Sequence, residues 1–415
     1  MNSDRECFVY IVLPGETKPV TAGKLVIAEN AADENIGRFV YGKSYLARPD
    51  AVPIDPVELM LSEKVYETAK MGGLFGAIRD ASPDLWGRIL IEKYLGCTDL
   101  QEMDYLLNSP DDRIGALCFG RQQLPTAPML NYNSSLDLEQ LQCAADAVVS
   151  ADTAAGPMAQ AEQLLLIGTS MGGARPKVVV SDRGALWVAK FTHPSDRYDM
   201  ALAEHAMLML ARSCGINAAE SRAVKVGKRN VLLVKRFDRE KSEEGYLRHR
   251  MISALTVLRS DDNPLNRGKW SYLLIADELR RISAEPVKDL KELFRRLVFN
   301  ALITNTDDHP RNHAFIADNA WRLSPAYDLV PFPMTSPSHR DLALICGSQG
   351  RLASSNNLIS CCRRFMYEPD EAKQIVAEMA CRISKNWLKT ARRAGMSVQD
   401  CTAIQPAFVY PGFFT

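Results

Sequence analysis

The sequence predicts an α+β chain: a small β-rich N-terminal unit, a hairpin–helix–hairpin stretch, then a mostly helical remainder. Three observations predict it. Short runs rich in β-branched and aromatic residues crowd the first 41 positions. Two further pairs of such runs are joined by Asp182-Arg183-Gly184 and Gly227-Lys228, which are hairpin signals. Beyond about residue 270, apolar residues recur at helical spacing.

Taken in order, residues 7–13, 22–28 and the segment around Phe39-Val40-Tyr41 read as strands, separated by Gly, Pro and Asn. A helix is expected over 82–95, with Ser82 as its N-cap, Pro83 at its first position and Gly96 just past its last turn. Pro125 and Pro128 mark 121–135 as a connecting loop, and a helix follows over 136–149. Strands at 177–181 and 185–191 form a hairpin. A helix near 198–213 carries Leu202, Ala206, Met209 and Leu210 on one face, and strands at 222–226 and 230–235 come next. Further helices are expected at 270–283, 286–304, 369–382 and 384–394. The organisation expected is 1–120, 121–240 and 241–415.

Hydrophobic residues make up 47% of the 415 and charged residues 24%, so the chain can bury sizeable cores without covalent staples. Lys+Arg and Asp+Glu are 50 each, which excludes the global basic excess of a non-specific polyanion binder. The ten cysteines form no C-x-x-C pair, and the six histidines do not join them at zinc spacing. They read as reduced thiols of a cytoplasmic protein. No run approaches the ~18 apolar residues of a membrane span, and the N-terminus lacks a signal-peptide pattern.

Three segments carry chemistry. Gly168 to Lys177 (GTSMGGARPK) precedes a strand, and its successive small residues allow backbone N–H groups to form an anion-binding nest, with Lys177 adding charge. In isolation such a segment is more often a flexible turn, and it matches neither a Walker loop nor a dinucleotide fingerprint. Lys190 lies inside the apolar run Trp187-Val188-Ala189-Lys190-Phe191. Burial there requires an anion, either Glu204 on the next helix or a phosphate, whereas strand alternation equally permits an outward lysine. Asn305 to His313 (NTDDHPRNH) crowds acids and amides at the end of an apolar helix, and Asp328 follows a short strand. One loop thus offers a carboxylate for a hydroxyl proton and an amide oxygen for a metal, and Asp328 adds a second hard oxygen. A capped turn or a metal-assisted hydrolase uses the same groups.

The order is glycine loop, strand lysine, helix glutamate, Asp-x-x-x-x-Asn loop, late Asp. That is the order of working parts in a two-lobed protein-kinase-like fold with a mostly helical C-terminal lobe. With Leu74 to Arg88 (LFGAIRDASPDLWGR) and Val234 to Arg239 (VKRFDR) added, the chain resembles the HipA-type serine/threonine kinases of bacterial toxin–antitoxin systems, to about residue 332.

The resemblance implies ATP and Mg²⁺ as cofactors, Asp307 as catalytic base, and Asn312 and Asp328 as Mg²⁺ ligands. It implies Gly172, Gly173, Ala174, Arg175, Pro176 and Lys177 as the loop covering ATP, and Lys190 on its phosphates with Glu204 as ion-pair partner. Lys235, Arg236 and Phe237 fall at the adenine-facing hinge, His309, Pro310, Arg311 and Asn312 on the phosphate side, and Tyr327 beside Asp328. Ser170 matches the serine that family members autophosphorylate, switching themselves off; a phosphate beside a phosphate nest gives repulsion as the basis. Relatives act as growth-arrest toxins, some by phosphorylating an aminoacyl-tRNA synthetase, and are restrained by a small helix-turn-helix antitoxin through which alone they meet DNA. The chain departs from many relatives at Arg248 to Ser253 (RHRMIS) and at Asp308, read as an extra metal ligand or a solvated side chain. The competing readings are a catalytically silent kinase-like binding module and a metal-dependent hydrolase.

Overall fold

The computed structural model describes residues 5–126, 133–134, 138–150, 175–193, 195–333 and 336–414. The chain divides into two compact units whose segments interleave: Met1–His193 with Arg236–Ile252 and Ile316–Asn319, and Pro194–Lys235 with Ser253–Phe315 and Ala320–Thr415.

In the first unit, β1 (Glu6–Val12), β2 (Pro19–Glu29), β3 (Asn35–Tyr41), β4 (Tyr66–Thr68) and β5 (Leu117–Gly120) form an antiparallel sheet in the order β4-β3-β2-β1-β5. Alternation decides its faces: in β3, Phe39 and Tyr41 are buried while Arg38 and Val40 are exposed. The Leu85–Leu95 helix ends at Gly96 in the left-handed conformation, as expected. Its N-cap is Asp84, not Ser82: the Asp84 carboxylate accepts the Gly87 N–H at 2.7 Å. The Ser82 hydroxyl instead donates to Ile78 O at 3.0 Å, at the end of the preceding helix Gly76–Asp80. A short strand, β6 (Asn133–Ser134), runs parallel to β7 (Lys177–Asp182), which forms a hairpin with β8 (Ala185–Phe191). Arg183 and Gly184 both have positive φ, 49° and 78°, the two-residue turn that the right-handed twist of the strands favours.

In the second unit, Asp199 caps the helix Met200–Ser213, and β9 (Ser221–Val226) pairs with β10 (Arg229–Lys235). The helix Tyr272–Ile282 starts from Ser271, and the helix Pro286–Leu302 has Pro286 in its first turn, where the missing N–H costs nothing. Phe294 of that helix packs against Phe365 and Tyr367 with ring centres 5.5 and 5.3 Å apart. The two helices expected at 369–382 and 384–394 are one 25-residue helix, Pro369–Arg393, opened by a Glu368/Glu371 capping box. Neither Gly nor Pro interrupts it, and buried Ile383 carries the apolar stripe across the expected break. Among the described residues, no helix is long and apolar enough to cross a membrane.

Candidate active site

The Asn305–Asn312 loop begins where the helix Pro286–Leu302 ends. Thr304 takes a left-handed φ of 54° and turns the chain, and Asn305 N–H bonds back to Asn300 O at 2.8 Å. Beneath the loop runs a buried polar chain. Asn305 Nδ2 donates to Asn300 Oδ1 (3.1 Å), and Asn300 Nδ2 donates to the Tyr272 hydroxyl (3.1 Å). That hydroxyl donates to Asp308, whose carboxylate also meets His313 Nε2 at 3.0 Å. Burial, and then the Asp308 charge, push the Tyr272 hydroxyl well above its ordinary pKa, so it stays a donor. Asp308 is 1% exposed. It is therefore neither of the things expected of it: buried against a tyrosine and a histidine, it anchors the loop from below.

The neighbouring Asp307 faces the other way and is exposed. Loss of hydration around its carboxyl, reinforced by Asp328 and Asp308 and partly offset by His309, holds its pKa above the usual carboxylate range. The His309 N–H donates to Asp307 O (2.8 Å), and Pro310 begins a short 3-10 turn, Pro310–Asn312. Asn312 Nδ2 donates to Asp307 O at 3.0 Å, which turns its amide oxygen the opposite way. The Tyr327 hydroxyl holds Arg311 O at 2.6 Å, and the Arg311 guanidinium grips Asp262 at 2.9 and 2.7 Å. Asp328 sits at a left-handed φ of 58°, the kind of costly backbone that functional sites retain. The second unit thus gathers Asp307, His309, Pro310, Arg311, Asn312, Tyr327 and Asp328.

The donor set suits Mg²⁺. Two carboxylates and an amide oxygen are hard ligands, and after loss of hydration the rise in the Asp307 pKa comes from Asp328 and Asp308, negative charge that a dication relieves. Among the described residues, no three His, Cys, Asp or Glu side chains converge as a metal cage. Mg²⁺ is ordinarily held by one or two carboxylates plus waters and phosphates, so the set fits a metal shared with a nucleotide.

A cleft of about 260 Å³ opens beside Thr306, Asp307 and His309. Its other walls are Arg267, Trp270, Asp341, Leu342, Ala343 and Arg351, none of which belongs to a motif.

The remaining expected residues of the first unit have other surroundings. Lys190, half-buried on β8, lies directly opposite Lys177 on β7, so the two share a face of the sheet. Lys177 is 2% exposed, and its ammonium meets Asp84 at 2.6 Å. Trp86 Nε1–H donates to Lys177 O at 3.0 Å. Arg175 is exposed and Pro176 buried; Ser170, Gly172, Gly173 and Ala174 lie outside the described residues. Arg236 is buried in an ionic knot, bonded to Asp112, to Asp238 at 3.0 and 2.8 Å, and to Arg113 O at 2.9 Å. Burial opposes charge on Asp238, but Arg236 and Arg239 outweigh it and hold the carboxyl far below its ordinary range. Phe237 is half-buried. In the second unit, Lys235 is exposed and paired with Glu220 at 3.0 Å, and Glu204 is buried on the helix Met200–Ser213.

A family model described as "HipA-like C-terminal domain" matches residues 169–387. A Sinorhizobium fredii protein named "Putative kinase" is 25% identical over 338 residues, 76% of this chain and 77% of that protein. A Haemophilus influenzae protein of the same name is 27% identical over 153 residues, 34% of this chain and 44% of its own. Among solved structures, HipA of Shewanella oneidensis MR-1, determined with HipB and operator DNA, superposes with a TM-score of 0.66. The match covers 96% of this chain and 94% of that one at 16% identity. The expected α+β, kinase-like fold is thereby shown.

Proposed function

From the premise that this chain belongs to the HipA-like family, we propose that it is an ATP- and Mg²⁺-dependent serine/threonine protein kinase. The observation that carries the proposal is the division of labour between two adjacent aspartates: Asp308 fixes the loop from below, and Asp307 is held out at a cleft. Asp307 orients the target hydroxyl and receives its proton; a carboxyl whose pKa is already raised is the better acceptor. Asn312 Oδ1 and the Asp328 carboxylate hold the metal. Mg²⁺, when bound with ATP, supplies neutralisation of charge on the transferring phosphoryl group. Lys190 takes the nucleotide phosphates, and Gly172 to Lys177 form the covering loop.

Autophosphorylation of Ser170 is the proposed off-switch. By likeness to the Shewanella protein, a HipB-type antitoxin is the proposed partner and the link to DNA, and a cellular protein such as an aminoacyl-tRNA synthetase is the substrate. The test is phosphopeptide mass spectrometry after incubation with ATP and Mg²⁺, beside Asp307→Asn and a metal-free control. Phosphate on Ser170 or on added protein, lost in both controls, is the expected result. Nucleotide binding without transfer to any acceptor would leave a silent binding module, and phosphoester turnover without ATP would indicate a hydrolase.

A further inference from the structure

The cleft beside Asp307 contains features that proton abstraction does not use. Arg267 lies on the 3-10 segment Pro264–Lys269, which is held by its own side chains. Asn263 Oδ1 accepts the Leu265 N–H at 3.0 Å, and Asp261 Oδ1 accepts from Asn263 N–H at 3.0 Å and Asn266 Nδ2 at 2.8 Å. The Arg267 guanidinium stacks over the Trp270 ring at 5.6 Å, and no carboxylate among the described residues lies within 4 Å of it. Trp270 is 8% exposed, yet its indole N–H is buried with no acceptor among those residues. What Trp270 offers the cleft is therefore its ring, which holds the Arg267 guanidinium in place.

Two further charged residues of the cleft, Asp341 and Arg351, are already paired. Asp341 is met by Arg351 at 3.9 Å and by His339 at 3.2 Å, and Asp307 carries the crowding already described. Among the described residues of the cleft, Arg267 is the arginine with no carboxylate partner. Leu265, two residues away on the same segment, is 90% exposed. This hydrogen-bonded edge thus bears one exposed apolar side chain and, in the cleft with Asp307, a guanidinium with no carboxylate partner, groups that a polypeptide with an acidic side chain can meet.

We propose that this cleft selects the protein substrate: with the target serine or threonine hydroxyl at Asp307, a neighbouring Asp or Glu side chain of the substrate enters the cleft. Its carboxylate pairs with Arg267, whose guanidinium the Trp270 ring holds in place. The proposal rests on the kinase reading but is separable from it. Arg267 and Trp270 determine specificity; they take no part in the transfer.

The test uses the full chain and fluorescein-labelled serine peptides that carry Glu or Gln at each position from three before to three after the serine. Transfer from ATP with Mg²⁺ gives the Glu:Gln ratio of kcat/KM, and anisotropy without ATP gives the same ratio for binding. For wild type the ratio should reach about ten at one position, the size of one charge-assisted hydrogen bond. Arg267→Ala should bring it to about one, Arg267→Lys should keep part of it, and Arg267→Glu should shift preference to a Lys-bearing peptide. Trp270→Leu, which removes the stack and keeps an apolar wall, should reduce it about threefold. A wild-type ratio near one in both readouts, or a ratio untouched by Arg267→Ala, overturns the proposal. Transfer without acidic preference would do so while leaving the kinase reading standing. Acidic preference in binding with no transfer would support the cleft assignment and sink the kinase reading.

Discussion

The adjacent aspartates of the Asn305–Asn312 loop should separate cleanly into one that stabilises and one that reacts. Asp308→Ala removes the acceptor of the Tyr272 hydroxyl and the partner of His313 Nε2, both in a buried setting. Each orphaned donor costs about 1–3 kcal/mol. Relief from burying a carboxylate returns part of that, leaving a net loss of about 2–4 kcal/mol. Asp308→Asn keeps an oxygen for Tyr272 and should lose about 1–2 kcal/mol. Asp307→Asn has the opposite signature. The folded-state pKa of Asp307 is raised, so its charged form is disfavoured by folding. A neutral side chain there leaves stability at pH 7 unchanged or slightly higher, while phosphoryl transfer is lost. Urea unfolding followed by circular dichroism, run beside a transfer assay on the same preparations, measures both. An Asp308→Ala protein as stable as wild type would refute the anchoring argument. An Asp307→Asn protein destabilised as much as Asp308→Ala would refute the division of roles.

Asp84→Ala breaks the buried pair with Lys177 and the cap of the Leu85–Leu95 helix, and should cost about 3–5 kcal/mol; adding Lys177→Met should recover part of it, measured by the same unfolding curves. Asp55 is buried, and its pKa is pushed up to about 6 by burial, although Val57, Glu58 and Leu59 N–H groups bond its Oδ1. Its raised value means that stability is fully present below about pH 4 and is lost as pH rises through about 6. Asp55→Asn should therefore stabilise the protein by about 1–3 kcal/mol at pH 8 and little at pH 4, checked by unfolding at the two pH values. Asp238 has the reverse sign: its depressed pKa keeps its contribution intact above about pH 4 and loses it as pH falls further, so Asp238→Asn should flatten the acid limb of the stability curve. Asn312→Ala should raise the Mg²⁺ concentration for half-maximal transfer about tenfold, read from a magnesium titration of the phosphorylation rate.

The sequence by itself determined what depends on near neighbours. The Arg183-Gly184 turn, the end of a helix at Gly96 and the start of one at Pro286 follow from backbone preferences that act over a few residues. That Asp307 and Asn312 lie on one loop was legible for the same reason: they are five positions apart, and the chain between them has little room to separate them. What the tertiary structure decided are choices between chemically equal candidates. Ser82 and Asp84 are both good caps, and Asp84 became the cap because the preceding helix end engages the Ser82 hydroxyl. Asp307 and Asp308 are the same residue type in adjacent positions. Only the path that brings Tyr272, 36 positions earlier, under the loop makes one an anchor and leaves the other exposed. Lys177 with Asp84 across 93 positions, and Arg236 with Asp112 across 124, are pairings of the same kind. Charge and polarity show that such groups need partners when buried. Which partner each one meets is set by packing that joins distant segments, and local sequence carries no record of it.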